Sequence, residues 1–548
     1  MRTLLLALLL AGTAATAQAQ NLIIHGGPIY TGVDGAPPAQ QVTVVDGRIA
    51  YVGPMRLERT PPDEYIDLKG AALFPGFTDG HAHLDGIGWR ELTLNLEGSA
   101  SAAEAMARLT AWAEANPEGP IVGRGWIETH WPEARFLTAA DLDAAAPGRV
   151  VLLSRSDGHA VVASSAALAA AGVDASTVAP SGGEILKGPD GQPTGLLVDA
   201  AEGLVAGLLP QADPEALREA YRAGFRVEAA YGWTGIHFMS APYRDIGLLE
   251  DMARAGEATI RVYNSVTPDG AEHLMNWGPR DVGNGRVITR AIKYYVDGAL
   301  GSRGAALFEP YADRPDTTGL MQTSREQMIP LYEQALRKGI QIATHAIGDR
   351  GNAEVLGWYV DAMAAVHPDQ RAVADPRWRI EHAQILRPGD YAMFADASVI
   401  ASMQPSHAIG DLHFAPARLG DARLDGAYAW HSLVDLGVMV VGGSDAPVER
   451  GAPLIEFYAA VARADLEGFQ GPDWRPGEAV DRATALKMFT LWPAYASFRE
   501  DELGTIEVGK RADFTAFSVD LMTAPAADIP RGHATLTVVD GVVVYRAD

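Results

Sequence analysis

The sequence predicts an α/β protein: a (β/α)8 TIM-like barrel, a small composite β-sandwich domain built from both termini, and an insertion after the first barrel strand. Three observations predict this. Eight short apolar segments alternate with amphipathic stretches of helical period, the pattern of a parallel sheet covered by helices. Most of those segments end in a residue able to hold a metal, and in a barrel the C-terminal strand ends share one rim. The two ends of the chain each carry an Asp-Gly pair between β-rich runs, a hairpin signal, and neither end has enough strands to stand alone.

Taken in order, residues 1–19 read as a cleavable export signal. Arg2 supplies the positive start, Leu4 to Leu10 the apolar core, and Ala17-Gln18-Ala19 the small-x-small cleavage pattern. The apolar run is too short to span a membrane, and no other segment is long enough. A periplasmic or secreted protein is expected. Residues 20–72 and 496–548 form the expected composite β domain, with turns at Asp46-Gly47 and Asp540-Gly541. Residues 73–495 hold the barrel. Its strands are read as 72–79, 235–239, 259–264, 290–296, 340–344, 378–381, 399–403 and 438–442. The first gap is too long for one crossover, so residues from about 90 to 225 include the insertion, with its own strand at 150–153.

Composition narrows the function. The chain has 548 residues, enough for a large core and more than one structural unit. Its formal net charge of −25 argues against nucleic-acid binding and against docking on anionic lipid. It contains no cysteine, which excludes disulfides, thiolate ligands and lipidation of an N-terminal cysteine. A metal here must be held by His, Asp, Glu or a modified Lys.

The chemistry begins in Phe74-Pro75-Gly76-Phe77-Thr78-Asp79-Gly80-His81-Ala82-His83. Residues i and i+2 of a strand face the same side, so His81 and His83 can reach one point. Two neutral imidazoles suit a divalent metal such as Zn²⁺. Further strands carry Lys293, His345, His382 and Asp445. A lone histidine at a strand end is ordinarily packed or solvated. The succession His-x-His, Lys, His, His, Asp on successive barrel strands is hard to obtain by chance, and it points to a metal centre.

These stretches, with Lys293 through Asp297-Gly298-Ala299-Leu300-Gly301-Ser302-Arg303, Thr344-His345-Ala346-Ile347-Gly348-Asp349, Ile380-Glu381-His382-Ala383-Gln384 and Gly443-Ser444-Asp445-Ala446-Pro447, resemble the metal-dependent amidohydrolase superfamily. The closer resemblance is to amidohydrolase family 3, the YtcJ-like group that includes N-substituted formamide deformylases, and it covers nearly the whole mature chain. It implies two Zn²⁺ ions. His81, His83 and Asp445 would hold one, and His345 and His382 the other. Lys293 would bridge them as a CO₂-derived carbamate, because a bare ammonium has no lone pair to donate. Asp445 is the implied catalytic base, orienting a metal-activated water and relaying its proton to the leaving amine. Asp349 and Asp79 are candidates for fixing the histidine tautomers.

Substrate contacts are sparser. Asp157 and His159 lie in a motif that resembles the same family, and either touch substrate or hold the insertion's own turn. Arg303 is a candidate for a carboxylate or polar head group. His407 and His413 read as loop residues. Trp89, Trp126 and Trp131 either line an apolar pocket or pack as core. The expected partner is a small-molecule substrate, with a homodimer left open. The expected reaction is hydrolysis of a non-peptide C–N bond in an amide of N-acyl or N-formyl type. Two alternatives stay open: the same centre acting on a cyclic amide, lactone or phosphoester, and a non-catalytic periplasmic binding or regulatory protein on the same fold.

Overall fold

The computed structural model describes residues 21–547, apart from 58–60, 129–130, 157, 159, 181–182, 209–212 and 472–473. The expected export signal, Asp157 and His159 therefore lie outside the described residues. Among the described residues, no helix is long and apolar enough to cross a membrane.

Eight parallel strands form a nearly closed barrel: β1 (Phe77–Ala82), β2 (Trp233–Ala241), β3 (Arg261–Val266), β4 (Val287–Tyr295), β5 (Gln341–Ala346), β6 (Arg379–His382), β7 (Ile400–Met403) and β8 (Val440–Gly442). Each pairs in parallel with the next. Side chains from both faces of these strands are almost all buried, which is why they read as continuous apolar runs. The seam between β8 and β1 is closed beyond the strand ends. Asp445 N–H donates to the His81 carbonyl at 2.6 Å, and His83 N–H donates to the Ala446 carbonyl at 2.7 Å.

The first expected strand, 72–79, is two strands in two sheets. Ala72–Pro75 pairs antiparallel with Phe514–Phe517 in the terminal sheet, whereas Phe77–Ala82 opens the barrel. Gly76 is the joint: its N–H donates to the Asp513 carbonyl at 2.9 Å. A Cβ there would lie 2.3 Å from Thr234 Oγ1. An unbroken apolar run hides this division, because burial in either sheet demands the same residues.

The terminal segments join in one eight-stranded sheet with a core that includes Leu22, Ile24, Val42, Val44, Phe514, Leu536 and Val538. Ala72–Pro75 lies between the N-terminal strand Leu22–Ile29 and the C-terminal strand Phe514–Phe517 and ties the two ends together. Both Asp-Gly turns have positive φ at each residue, 50° and 75° at Asp46-Gly47 and 53° and 73° at Asp540-Gly541. That is the type I′ geometry, whose twist matches the flanking strands.

The segment between β1 and β2 contains a six-stranded sheet with its own core. Its expected strand at 150–153 is Val151–Arg155. Trp126 and Trp131 belong to that core. Their indole N–H groups donate to the Leu153 carbonyl at 2.9 Å and the Ser99 carbonyl at 2.7 Å.

A buried charge network fixes the terminal sheet beneath the barrel. Arg261, at the start of β3, donates to both oxygens of Asp513 at 2.6 and 2.8 Å and to Asp540 Oδ1 at 2.5 Å. Arg511 and Arg286 reach the Asp540 carboxylate at 2.9 and 2.8 Å. Removing one member of a buried pair leaves a charge without compensation. Asp513→Ala is expected to lower the unfolding free energy by about 3–5 kcal/mol, read by urea denaturation.

Candidate metal centre

The strand ends bring a cluster of imidazoles, one amine and one carboxylate to the same rim. His81 is the penultimate residue of β1, and His83 occupies the N-cap position of the helix Leu84–Leu92 that follows. Lys293 lies in β4 and His345 in β5. His382 closes β6 with φ of 74°, and Asp445 lies just past β8 with φ of 58°. Such left-handed conformations in non-glycine residues cost energy and concentrate at functional sites. Ring centroids of His81 and His382 are 4.7 Å apart, and those of His345 and His382 are 4.6 Å apart.

Two sets of ligand atoms converge, one from His81, His83 and Asp445 and one from His382, His407 and Asp445, with the atoms of each set within 4.8 Å of one another. Asp445 Oδ1 lies 3.0 Å from His83 Nε2 and 3.5 Å from His81 Nε2. Tetrahedral coordination at ordinary Zn–N and Zn–O lengths separates ligand atoms by about 3.3 Å. The tautomers fit a metal as well. His81 Nδ1 contacts Glu381 Oε2 at 2.6 Å, His83 Nδ1 contacts the Met239 carbonyl at 3.0 Å, and His382 Nδ1 contacts Gln404 Oε1 at 2.9 Å. Each partner is an acceptor, so each Nδ1 carries the proton and each Nε2 keeps its lone pair. His83 thus has an acceptor on both nitrogens but only one proton when neutral, and a cation between Nε2 and Asp445 resolves the conflict.

Burial keeps His81, His345 and His382 neutral. It pushes His81 down to about 4 and His345 down to about 3, and in both the nearby Lys293 charge adds to the effect. Burial and the neighbouring His345 hold His382 well below its ordinary range. Asp445 goes the other way: burial opposes ionisation, but the facing His81 and His83 rings outweigh it and hold the carboxyl well below the usual range. Burial brings the Lys293 amine down to about 8. Neutral imidazoles around an anionic carboxylate form the ligand state a divalent ion requires.

The carboxylate behind His81 is itself anchored. Glu381 is fully buried and engages the Arg379 guanidinium, which also donates to the Gly80 carbonyl at 2.6 Å, to Ser402 Oγ at 2.6 Å and to His237 Nδ1 at 2.8 Å. Arg379 and Glu381 lie on β6, two residues apart, and share its inward face with the metal-facing cluster. Asp297, after β4, accepts N–H bonds from Ile347 at 3.0 Å, Gly348 at 2.8 Å and Ala306 at 2.9 Å, fixing the loop beyond β5.

His345 Nε2 lies 3.4 Å from Asp297 Oδ1 and has no hydrogen-bond partner among the described residues, and its ring lies beside that of His382 although it joins neither three-residue set. The histidine that lies with His382 and Asp445 in the second set is His407. It is buried in the helix Pro405–Asp411, with Nε2 3.6 Å from Asp445 Oδ2. Nothing in its sequence neighbourhood marks it, because only the turn after β7 aims it inward. Asp79 and Asp349 bind backbone rather than imidazoles: Asp79 accepts from His81 N–H at 3.0 Å, and Asp349 accepts from Phe308 N–H at 3.0 Å. Arg303 does not present a free guanidinium, since it grips Asp313 at 3.2 and 2.8 Å. His413 stacks on Phe469 and contacts Asp465 at 3.1 Å. Loss of an outer partner of a ligand histidine weakens metal binding by about 10–100-fold. Gln404→Ala is expected to show that loss in chelator-competition titrations while the fold persists.

Comparison with known proteins agrees with this architecture. The model of the amidohydrolase family matches residues 64–545. The Bacillus subtilis protein YtcJ is 33% identical over 535 residues, covering 96% of this chain and 99% of its own. The N-substituted formamide deformylase of Arthrobacter pascens is 29% identical over 531 residues, covering 93% and 95% of the two chains. A metal-dependent hydrolase from Pyrococcus horikoshii superposes with a TM-score of 0.75 at 24% identity, covering 92% of this chain and 99% of its own. From its strand order, its candidate metal-ligand groups and these matches, the chain belongs to the amidohydrolase family and is a hydrolase.

Proposed function

We propose that the protein hydrolyses a non-peptide C–N bond in a small amide, of which an N-substituted formamide is the first to test. The observation that carries this reading is the convergence of His81 Nε2, His83 Nε2 and Asp445 Oδ1 on one point at the barrel mouth. The likeness to a formamide deformylase supports the bond class. The leader-like first nineteen residues support action in the periplasm or outside the cell.

His81, His83 and Asp445 would hold a divalent ion, zinc by the chemistry of the donors. Bound there, it would act as a Lewis acid and lower the pKa of a water towards about 7. His345 and His382 would hold a second, with a carboxylated Lys293 shared between the two ions. Only a neutral amine adds CO₂, and burial brings Lys293 down to about 8, which enlarges the neutral fraction near neutral pH. The carbamate has two oxygens where the amine had one nitrogen, which is what a bridge between two ions needs.

The protein's own residues supply the rest. Asp445 remains ionised, with Oδ1 towards His83 and Oδ2 towards His407. It accepts one proton from the attacking water and returns it to the departing nitrogen, so that the C–N bond breaks to give a neutral amine and a carboxylic acid, whose remaining proton is released to solvent to leave the carboxylate. Glu381, Met239 and Gln404 keep the imidazoles from turning during the cycle.

Purified protein loaded with Zn²⁺ is expected to cleave formamides or N-acyl amides in preference to lactones and phosphoesters. A preference for either of the latter overturns the bond class. Chelation is expected to abolish turnover, and added Zn²⁺ to restore it. Asp445→Asn is expected to lose about 10²–10⁴-fold in kcat while most bound metal stays in place. Full activity in that variant removes the role given to Asp445.

A further inference from the structure

His407 differs from the other imidazoles of the centre in one respect. His81, His83 and His382 all present Nδ1 to an oxygen acceptor. His407 presents Nδ1 to the side-chain amide nitrogen of Gln384, at 3.1 Å. An amide N–H₂ only donates, so Nδ1 of His407 accepts and the ring proton resides on Nε2. That Nε2–H is buried, and it has no hydrogen-bond partner among the described residues. Its nearest carboxylate oxygens are Asp445 Oδ2 at 3.6 Å and Glu449 Oε1 at 3.9 Å, both beyond hydrogen-bonding distance. The ring lies nearly parallel to that of His382, with 6.0 Å between centroids and 13° between planes. Two nearly parallel histidines, one closing β6 and one in the helix after β7, therefore carry opposite tautomers.

We propose that His407 is not a metal ligand but a catalytic hydrogen-bond donor, whose Nε2–H binds the carbonyl oxygen of the substrate beside Asp445. This rests on the reading of the site as an amide hydrolase. As an amide carbon becomes tetrahedral, its oxygen gains negative charge. A fixed donor in a water-poor site stabilises that charge more than it stabilises the ground state. The donor keeps its proton throughout, and the proton relay belongs to Asp445. Gln384 acts as a positioning residue, because its amide sets which nitrogen of His407 carries hydrogen. A buried donor with nothing to bond is costly in a resting protein, and a substrate oxygen relieves that cost.

The tautomer is read by long-range proton–nitrogen spectra of the full chain labelled with ¹⁵N-histidine, using His407→Phe to assign the signal. An Nε2–H tautomer at His407 is expected, with Nδ1–H tautomers at His81, His83 and His382. In protein loaded with ¹¹³Cd²⁺, metal–nitrogen coupling is expected at those three and not at His407. His407→Phe is expected to keep the wild-type metal content and to lose about 10²–10³-fold in kcat/KM, chiefly through kcat. His407→Gln, which restores an amide donor of similar reach, is expected to recover part of that loss. Coupling to cadmium at His407, or metal loss in parallel with activity loss, makes it a ligand and overturns the proposal. Activity within about threefold of wild type makes it a bystander and does the same. If the wild-type protein cleaves no amide, the bond class fails separately. Formate binding then replaces kinetics, and an affinity weakened by about tenfold or more in His407→Phe, the scale of one hydrogen bond, supports the donor role. Unchanged formate affinity overturns it.

Discussion

The closure of the barrel between β8 and β1 is the interaction on which the centre depends. Asp79 lies inside the seam and accepts from His81 N–H at 3.0 Å, Ser444 N–H at 2.9 Å and Ser444 Oγ–H at 2.5 Å. Burial nevertheless pushes its carboxyl up to about 7. The residues it binds are His81 itself and Ser444, the immediate neighbour of Asp445. One side chain thus sets the separation of the first and last ligand-bearing segments. The approach is close enough to demand glycine on both sides. A Cβ on Gly443 would meet His81 N at 2.4 Å, and one on Gly80 would meet the Gly442 carbonyl at 2.5 Å. Larger residues there would part the seam and, with it, His81 from Asp445.

From that seam a single polar chain runs across the barrel interior. Ser402 and Gly80 accept from Arg379, Arg379 pairs with Glu381, and Glu381 fixes His81. The members come from β1, β6 and β7 and are buried together. In such surroundings a half-satisfied network is costly, whereas a complete one is rigid. The rigidity matters because the ligand nitrogens have to face one point without rearranging around a cation. The same low dielectric keeps His81, His345 and His382 neutral, while the imidazoles facing Asp445 keep it ionised against that burial.

Much of this was legible in the chain itself. The strands from β2 to β8 begin and end within three residues of the places where apolar runs stop. His81, His83, His382 and Asp445 come together at the rim where their strand-terminal positions put them. Gly76 was not legible as a boundary, since Phe74 and Phe77 are buried in either sheet and look alike as letters. The partners of the ligand histidines were not legible either. Asp79 lies two residues before His81, but His81 is held by Glu381, which is 300 residues away. Arg303 carried the right charge for substrate, yet folding spends that charge on Asp313.

The sequence by itself determined the fold class and the chemical identity of most donors, because both are written locally, in apolar periodicity and in the residue that ends each strand. Tertiary structure decided which atom of each donor faces the centre. A histidine offers two nitrogens, and the group bonded to one of them selects the other. Those groups arrive from distant strands and turns: Glu381 for His81, Met239 for His83, Gln404 for His382 and Gln384 for His407. For the same reason His407, in the helix after β7, faces Asp445. Spacing along the chain carries no record of either choice, since tautomer and ring orientation exist only once the partners are packed against each other.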